Sequence, residues 1–449
     1  MINLLRNTIS SFRALFGNAA ANAFIQATGL TGSVQKAAIT QLCIDLQASG
    51  LWDKMKAVYP MVTDNYNLLS YTEDFSNAVW IPLNVSISAN TTTSPTGTNT
   101  ADSFISAASS NAHPLICLYT TSGTVTYSLY VKKNNSRYVS LKNVGGITNW
   151  AGAIYDLDNV SVTKTDFSTQ TSVSASIQDI GNGWRRLSLT SSGSFTDFSI
   201  QYSPNGTASF GNYGDITSTG TGLTDYYIWG AQLQIGALST YQPILTTPSA
   251  FMASQMKYNL KDARDLDAAF RLTWSGGWTY SATGATPNGT NAYADTNLIP
   301  NNILSQNNKH ISSYVRTIAA NSLIGVGSSG AGNLDQIVDT GGTLYSNLSS
   351  SFASASVASK TGLYLVRRIT STTANTFINN VASFTDNQTS TGQSTNTITI
   401  SARNLGYTKD FYSTSQNSFA TIGNGLTDAE AASLYTIVQK YQTSLSRQV

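Results

Sequence analysis

The chain has 449 residues, of which 11% are charged and 10% aromatic, and its formal net charge is +2. This length allows two or three domains, each large enough to bury a core. The small net charge provides no long-range field for nucleic acid or for an anionic membrane surface, which argues against both partners. Few charges together with many aromatic and small polar residues are typical of extracellular or viral β-structure.

Two features of the chain bear on where the protein works. Cys43 and Cys117 are too few for a disulfide framework, and we expect both to be buried as small apolar residues. Polar residues interrupt the apolar N-terminus, so we expect no secretory signal peptide. No stretch approaches the ~20 apolar residues of a membrane span. We therefore expect a protein made in the cytoplasm that reaches the outside by lysis or by assembly into a particle.

The N-terminal end predicts helices. Leu5, Ile9, Phe12 and Phe16 share one helical stripe. We interpret residues 1–30 as an anchor or oligomerisation segment, and packing of this helix on its own domain is an equal alternative. Such a segment needs a partner surface in either case.

Two more helices are predicted before residue 60. The second helix has Ser33 as its N-cap and ends near Gly50. Its buried face consists of Ile39, Leu42, Cys43 and Leu46. The third helix runs from Leu51 to Val58 and buries Leu51, Met55 and Val58, because Pro60 stops it.

Short period-two runs, separated by Asn, Gly, Ser and Thr clusters, fill residues 66–247. They include Val125 to Val131, Trp184 to Leu189 and Phe198 to Tyr202. Many short strands with such turns predict an antiparallel β-sandwich or barrel. In the last run, Tyr226 to Pro243, we expect Trp229, Ala231, Leu233 and Ile235 on one face and Gln232 and Gln234 on the other.

A second β-rich region follows from Met256 and ends in a helix. Thr427 and Glu430 form a capping-box pattern at the start of this helix. The apolar stripe of the helix consists of Leu434, Ile437, Val438, Tyr441 and Leu445. The fold class is thus mainly β, with two antiparallel sandwich (jelly-roll) domains, short N-terminal helices and one C-terminal helix.

The segments on either side of the first sandwich, Asp53 to Val62 and Met256 to Leu272, are richer in charge than their surroundings. They read as two halves of one piece of chain. A module with adjacent ends can be inserted at a surface loop. We therefore predict a module at 64–250, inserted into a domain formed by 31–63 and 251–449, with the anchor segment at 1–30.

Several motifs of the middle region resemble a known class of module. They are NLLSYTEDFSNAVW (Asn67 to Trp80), VTYSLYVKKNNSRYVSL (Val125 to Leu141), IGNGWRRLSL (Ile180 to Leu189) and YIWGAQLQIGALSTYQP (Tyr227 to Pro243). In this order they resemble the carbohydrate-binding-like jelly-roll modules of bacteriophage tail fibres and other virion appendages. The resemblance covers roughly residues 66 to 247.

The flanks resemble a second phage pattern. KYNLKDARDLDAAFRLTWSGGW begins at Lys257, and IGNGLTDAEAASLYTIVQKYQ begins at Ile422. Both are similar to concanavalin-A-like, laminin-G-like domains of phage structural proteins. The resemblance implies a protein of the virion surface, commonly a trimer, that contacts other virion proteins and host-surface glycans.

Aromatic side chains are the candidates for sugar stacking. Trp184 and Trp229 lie in strand motifs, where core packing is about four times as probable a role as binding. For Trp80 the two roles are equally balanced. Trp150, beside Asn149 in a polar turn, is the tryptophan that we expect to be most exposed. Arg137 and Tyr138 could add a hydrogen-bond donor and a second ring, because a sugar site needs convergent polar and aromatic groups.

No pattern predicts catalysis, a cofactor or a metal site. The carboxylate clusters Glu73/Asp74, Asp156/Asp158 and Asp262/Asp265/Asp267 read as structural or solvated groups. His113 and His310 are isolated, and no Cys/His spacing is that of a zinc site. We predict a non-enzymatic virion protein, either a tail fibre or a head fibre or decoration subunit, that binds glycans. A polysaccharide depolymerase and a scaffold without sugar binding are the alternatives.

Overall fold

The computed structural model describes residues 18–64, 66–318, 321–327, 333–351, 353–406 and 408–449. The predicted stripe of Leu5, Ile9, Phe12 and Phe16 lies outside these residues. The chain forms two compact units. The inserted unit is Asn65–Phe251, and the flanking unit combines the chain through Asp64 with Met252–Val449. The boundaries predicted from the sequence are 63/64 and 250/251. The relationship of the inserted unit to carbohydrate-binding-like modules stays a prediction.

The described chain is mainly β, as predicted, with predominantly antiparallel strand pairs. Its α-helices are α1 (Ala19–Thr28), α2 (Ser33–Ala48), α3 (Pro248–Met256), α4 (Pro300–Ile303) and α5 (Asp428–Ser444), and Trp52–Lys54, Asn212–Gly214 and Asp267–Ala269 are 3-10 helices. Its strands are β1 (Met55–Tyr59), β2 (Trp80–Pro82), β3 (Val85–Thr92), β4 (Ala101–Ser106), β5 (Ser110–Ala112), β6 (Pro114–Lys133), β7 (Tyr138–Gly146), β8 (Asn149–Asp156), β9 (Ser161–Phe167), β10 (Thr171–Gly181), β11 (Trp184–Ser203), β12 (Thr217–Thr219), β13 (Thr224–Ile235), β14 (Thr273–Ser275), β15 (Trp278–Ser281), β16 (Gly284–Pro287), β17 (Tyr293–Asp295), β18 (Lys309–Val315), β19 (Asn321–Val326), β20 (Leu334–Asp339), β21 (Thr343–Ser350), β22 (Ser354–Ser356), β23 (Gly362–Arg368), β24 (Ala374–Ile378), β25 (Val381–Asp386), β26 (Thr399–Ile400), β27 (Arg403–Asn404), β28 (Lys409–Asp410) and β29 (Asn417–Gly423).

Two bent strands of 20 residues each, β6 and β11, organise the inserted unit. They pair with each other along their length, with a register shift between Phe195 and Asp197. The part of β11 before this shift pairs with the second part of β6. Together with β10, β13, β4 and β3 they form the first half-sheet. On the other side, the remaining parts join β2, β7, β8 and β9. The two half-sheets share one core, so the unit is a β-sandwich.

The sequence runs Trp184 to Leu189 and Phe198 to Tyr202, expected as separate short strands, are the two ends of β11. Leu187 and Leu189 enter the shared core from the first half-sheet, and Phe198 and Ile200 enter it from the second. Local periodicity reports each end correctly. It cannot report that the strand continues through the bend, because the intervening Ser and Gly residues read as a turn.

The predicted assignment of the β13 side chains to the two faces of the sheet is wrong at Trp229, because the strand contains a β-bulge. The register of β13 on β6 shifts between Trp229 and Gln232, and Gly230 within this step has φ 64°. The extra residue reverses the alternation, because a shift of one residue exchanges the two faces of a strand. Ala231 and Leu233 lie in the shared core, whereas Trp229 packs with Tyr130 and Trp184 in a second cluster. Ile235, expected to be buried with Leu233, is 60% exposed.

Two sheets of the flanking unit enclose a second core. The first has the order β15-β16-β29-β18-β23-β24-β25, with β1 also paired to β29. The second has the order β14-β17-β26-β19-β20-β21-β22, with the β27–β28 pair at β19. Alternate residues of β23 separate the two faces of the first sheet. Tyr364 and Val366 face the core between the sheets, and Leu363 and Leu365 face a layer that includes α1, α2 and α5.

The predicted third helix is wrong. Residues Met55–Tyr59 form strand β1, preceded by one turn of 3-10 helix. The strand is buried on both faces, and it has a register shift between Met55 and Ala57. As a result Leu51, Met55 and Val58 all pack in the helical layer, at spacings of four and three that imitate a helix.

The second helix has the predicted buried face, but its N-cap differs. Ser33 is its first residue, and the capping position is Gly32, which has no side chain to accept the orphan N–H groups. The carboxylate of Asp64 accepts hydrogen bonds from the backbone N–H groups of Thr31 and Gly32 instead. A residue more than thirty positions away therefore fixes the chain at the entry of the helix and binds the N–H of its capping residue, which no local pattern reveals.

The C-terminal helix α5 is confirmed. Thr427 and Glu430 form the predicted capping box, and Leu434, Ile437, Val438 and Tyr441 are buried. The helix α3 was not predicted. Within the described parts of the chain, none of the helices has the length and apolar character needed to cross a membrane.

Candidate functional site

The five predicted site residues do not converge. In the β7–β8 pair, Tyr138 lies opposite Asp156, whereas Val144 lies opposite Trp150. Six residues of extended strand separate the two positions along β7, a distance of roughly 20 Å. Arg137 and Tyr138 are therefore at one end of this hairpin, and Asn149 and Trp150 are at the other.

Trp80 is part of the core of the inserted unit. It is 2% exposed, its ring centroid lies 4.7 Å from that of Phe75, and its indole N–H donates to the Tyr71 carbonyl at 3.1 Å. In β2 it pairs with Cys117. Burial removes the open ring face that stacking on a sugar requires.

Arg137 is held by a carboxylate. Its Nε and Nη2 atoms donate to the two oxygens of Asp156 at 2.8 and 2.6 Å, and its guanidinium lies 5.2 Å from the centre of the Tyr138 ring. These hydrogen bonds keep the pKa of Asp156 low, at about 2. The bidentate pair fixes the start of β7 and leaves the guanidinium fewer free donors for a ligand.

The expected exposure of Trp150 is also wrong. The ring is 8% exposed, because Phe210 packs on it at 5.5 Å and Gly214 lies against it. Asn149 beside it donates to the Ser194 carbonyl at 3.0 Å and accepts from the Thr169 hydroxyl at 3.1 Å. Both side chains thus brace the turn between β7 and β8. The residues that cover Trp150 are about sixty positions away in sequence.

The environment of Trp150 is the face of the second half-sheet that points away from the shared core. We call this surface the outer face. One row across four strands consists of Leu118, Asp197, Val144 and Trp150, and the next consists of Ile116, Ser199, Lys142, Gly152 and Asp166. Neighbouring strands are about 4.8 Å apart, so each row spans 15 to 20 Å.

Residues 204–216, which we call the covering loop, lie over part of the outer face. Lys142 Nζ donates to Asp215, and Lys164 Nζ donates to the Ala208 carbonyl at 3.0 Å. A Cβ at Gly152 would lie 2.5 Å from the ring of Phe210, so the ring can settle on the sheet only because residue 152 is glycine. At the opposite end of the rows, Ile116 is partly exposed and Leu118 is 62% exposed.

Tyr213 is the exposed aromatic residue of the covering loop. Its backbone has φ 57° and ψ 13°, the left-handed region that a bulky residue rarely adopts, and 44% of its surface is exposed. Its N–H donates to the Ile147 carbonyl at 2.9 Å, which anchors it beside the β7–β8 turn. Strain of this kind is often retained at binding sites. Sequence reasoning missed Tyr213, although an aromatic residue in the polar turn GNYGD was a usable signal.

Two carboxylates, those of Asp197 and Asp215, belong to the outer face and to the covering loop. Asp197 is half-buried and accepts from the neighbouring Thr196 hydroxyl at 3.1 Å. Burial raises the pKa of Asp197, and the hydrogen bond from Thr196 and the charge of Lys142 oppose that shift. Within residues 66–251 no donor contacts its Oδ1 atom. Asp215 keeps 32% of its side chain exposed while it holds Lys142. Carboxylate oxygens in such positions can accept hydrogen bonds from hydroxyl groups of a ligand.

The remaining carboxylates considered from sequence have structural partners. Asp262 pairs with Arg264, and Asp265 and Asp267 pair with Arg271. Glu73 accepts from the Tyr241 hydroxyl at 3.2 Å. Among the described residues, no group of three or more His, Cys, Asp or Glu side chains has the arrangement of a metal site.

A cleft of about 450 Å³ lies in the flanking unit, between α1 and residues 260–264. Its wall includes Ala20, Ala23 and Ala27, and its charged rim consists mainly of the Asp262–Arg264 pair. A wall of small apolar groups with a self-paired rim offers few convergent polar groups to a ligand. The outer face of the inserted unit is the better candidate.

Comparison with known proteins identifies no family. No protein-family profile and no curated protein matches the chain. Among solved structures, domains LG4-5 of the mouse laminin alpha1 chain match with a TM-score of 0.25 and 10% identity, over 70% of this chain and 88% of that chain. A likeness at that score supports no functional inference.

Proposed function

We propose that this chain is a non-enzymatic glycan-binding protein that holds a saccharide on the outer face, beside Tyr213. The observation that carries the proposal is Tyr213 itself, an aromatic ring held exposed by a strained backbone. An aromatic ring offers a flat apolar surface to the C–H face of a sugar, and Asp197 and Asp215 offer acceptors to its hydroxyl groups. Leu118, next to Asp197 in the row that ends at Trp150, adds an exposed apolar group to the outer face.

Binding is tested with two matched substitutions. Tyr213→Asn removes the ring and keeps a residue that tolerates positive φ. Tyr71→Asn is the control, because Tyr71 is another tyrosine of the inserted unit with positive φ (49°). We expect Tyr213→Asn to weaken binding of a glycan-array hit about tenfold, as measured by calorimetry, and Tyr71→Asn to leave it unchanged. Equal effects of the two substitutions would count against the proposed site.

The absence of catalysis is part of the proposal. It is supported by the pairing of Asp156, Asp262, Asp265 and Asp267 with basic side chains, because a glycosidase needs two carboxylates free to flank the bond. Incubation with a bound polysaccharide should release no reducing ends. Release of reducing ends that Asp197→Asn abolishes would instead support the depolymerase alternative.

The biological setting is proposed from sequence resemblance. The motifs of residues 66–247 and of the flanks support an exposed fibre or decoration subunit of a tailed-phage virion. Its N-terminal segment would bind other virion proteins, and the chain would form a trimer. Antibody labelling of purified particles tests the location, and light scattering of the purified chain tests the trimer. A chain absent from particles, or one that is monomeric at all concentrations, would contradict the corresponding part.

A further inference from the structure

The charges of the outer face suggest which glycans it accepts. The two rows, the neighbouring Lys164 and the covering loop carry two lysines, Lys142 and Lys164, and three aspartates, Asp166, Asp197 and Asp215. A further aspartate of the outer face, Asp156, lies at its far end and is paired with Arg137. This pair is neutral, so the formal sum is one negative charge. A ligand that approaches Tyr213 therefore meets a surface with more carboxylates than ammonium groups.

Both lysines are already bound. Lys142 is 3% exposed and donates to Asp215. Lys164 donates to the Ala208 carbonyl at 3.0 Å, has Asp166 at 3.5 Å, and lies 5.4 Å from the centre of the Phe210 ring. An acidic sugar would have to displace one of these partners. It would gain little, since the charge of the lysine is already compensated.

Arginine is the residue best suited to bind carboxylate and sulfate groups. The rows and the covering loop contain no arginine, in the part of the chain that the structure describes. The nearest arginine along β7, Arg137, lies at the far end of the hairpin and is held by Asp156. The outer face thus lacks the group that recognition of acidic glycans normally uses.

We infer that the outer face accepts uncharged saccharides and rejects uronic-acid and sulfated ones. This inference rests on the proposed glycan binding at Tyr213. The aromatic ring and the acceptor oxygens suit neutral sugars, whose recognition uses C–H surfaces and hydroxyl groups. The carboxylates repel an acidic chain, because like charges within a few ångströms of a partly buried surface are weakly screened.

Affinity electrophoresis of the full chain tests the inference. The neutral polymers are dextran, mannan, laminarin and galactan, and the acidic ones are alginate, hyaluronan, heparin and polygalacturonate. Galactan and polygalacturonate share the galacto configuration of the sugar ring, and only the second carries carboxylates. We expect retention by at least one neutral polymer, loss of that retention in Tyr213→Asn, and a change of less than about twofold between ~0.05 and ~0.5 M salt.

The outcomes separate the inference from the proposed function. Tyr213-dependent retention by an acidic polymer, with none by its neutral counterpart, would overturn the inference and leave glycan binding standing. Retention by none of the polymers would overturn glycan binding and the inference with it.

A second variant tests the charge argument directly. Asp215→Asn frees Lys142 and removes one negative charge. It should therefore increase retention by the acidic polymers by about threefold or more, relative to the unchanged protein. Asp158→Asn is the control, because it frees Lys133 at the other end of the hairpin. If Asp215→Asn gains no more than this control, charge does not decide the selection and the inference is wrong.

Discussion

Two buried titratable residues of the flanking unit, adjacent in β18, show how single side chains influence its stability. Lys309 and His310 point to opposite faces of the strand. Lys309 meets Asp335 of the other sheet, and His310 lies beneath the loop that follows β29. Neither side chain is exposed, so each has to be compensated by partners inside the protein.

His310 is predicted to make the flanking unit sensitive to acid. Its Nδ1–H donates to the Asn424 carbonyl at 2.5 Å, its Nε2 accepts from Thr421 at 3.1 Å, and burial lowers its pKa to about 4. Between pH 6.5 and about 4 the unfolded chain binds a proton that the folded one does not, so stability falls as the pH falls. The loss should reach about 3 kcal/mol.

Denaturant unfolding at several pH values measures this effect. His310→Asn keeps a donor for Asn424 and cannot titrate, so its stability should change less across the same window. The slope that His310 contributes should be absent above pH 7, where the ring is neutral in both states. An unchanged slope in the variant would assign the acid sensitivity to other groups.

Removing one partner of the buried Lys309–Asp335 pair is predicted to destabilise the unit more than replacing both partners with apolar residues. Lys309 Nζ lies 2.7 Å from Asp335 Oδ1, and the Ser349 N–H also donates to that oxygen, at 2.8 Å. Asp335→Asn leaves the ammonium uncompensated and should destabilise the unit by about 3–5 kcal/mol. The apolar double variant Lys309→Met/Asp335→Leu should be less destabilised than Asp335→Asn. A double-mutant cycle measures the coupling, and additive losses would contradict this prediction.

At the scale of elements, the most consequential feature is the bulge in β13. It allows one strand to supply Ala231 and Leu233 to the shared core and Trp229 to the opposite face. There Trp229 and Tyr130 pack against Tyr241, whose segment runs across this face after the strand. Without the extra residue, the glutamines after it would point into the core.

Gly230→Ala is predicted to destabilise the inserted unit. Its φ of 64° is strained for alanine, and the new Cβ would lie 3.0 Å from Tyr130 Cδ2. The expected loss is about 1–2 kcal/mol, seen as a lower melting temperature of this unit. Gly97→Ala is the control, because φ is 88° there and the new Cβ would meet no atom within 4 Å. Equal losses would mean that strain alone, and not the packing at the bulge, limits the substitution.

At the scale of the whole molecule, the chain builds two units with separate cores. The ends of the inserted unit pair within that unit, since the N–H groups of Tyr71 and Thr72 donate to the carbonyls of Thr246 and Ile244. In the flanking unit, the Gln255 side chain forms hydrogen bonds with Thr63 and Asp64. These bonds connect the segment that ends the first part of this unit to the segment that begins its second part. Each unit thus closes its own boundary.

This arrangement predicts that the inserted unit folds alone. Residues 66–251, expressed as a separate protein, should give a cooperative thermal transition and a near-ultraviolet circular dichroism spectrum with fixed aromatic signals, because the core of the unit comes from its own strands. The flanking segments, joined by a short linker in place of the inserted unit, are the companion protein. A non-cooperative transition of either protein would show that its unit depends on the other.

The sequence by itself determined the features that depend on neighbouring residues. The mainly β class, the capping box of Thr427 and Glu430, and the burial of both cysteines follow from local periodicity and local hydrogen bonding. Local spacing failed at β1, where burial on both faces and a bulge imitated a helix. It failed at Trp229 too, because one glycine reversed the alternation.

Only the tertiary structure decided which surfaces are covered. Trp150 is buried by Phe210 and Gly214, Asp64 binds the backbone N–H groups at the entry of α2, and Tyr213 is left exposed beside the β7–β8 turn. These relations join residues tens of positions apart. Strand register, bulges and the path of the covering loop set them, and none of these has a local periodic signature. For that reason the sequence predicts a binding site at the turn of Trp150, whereas in the structure the exposed candidate ring is that of Tyr213.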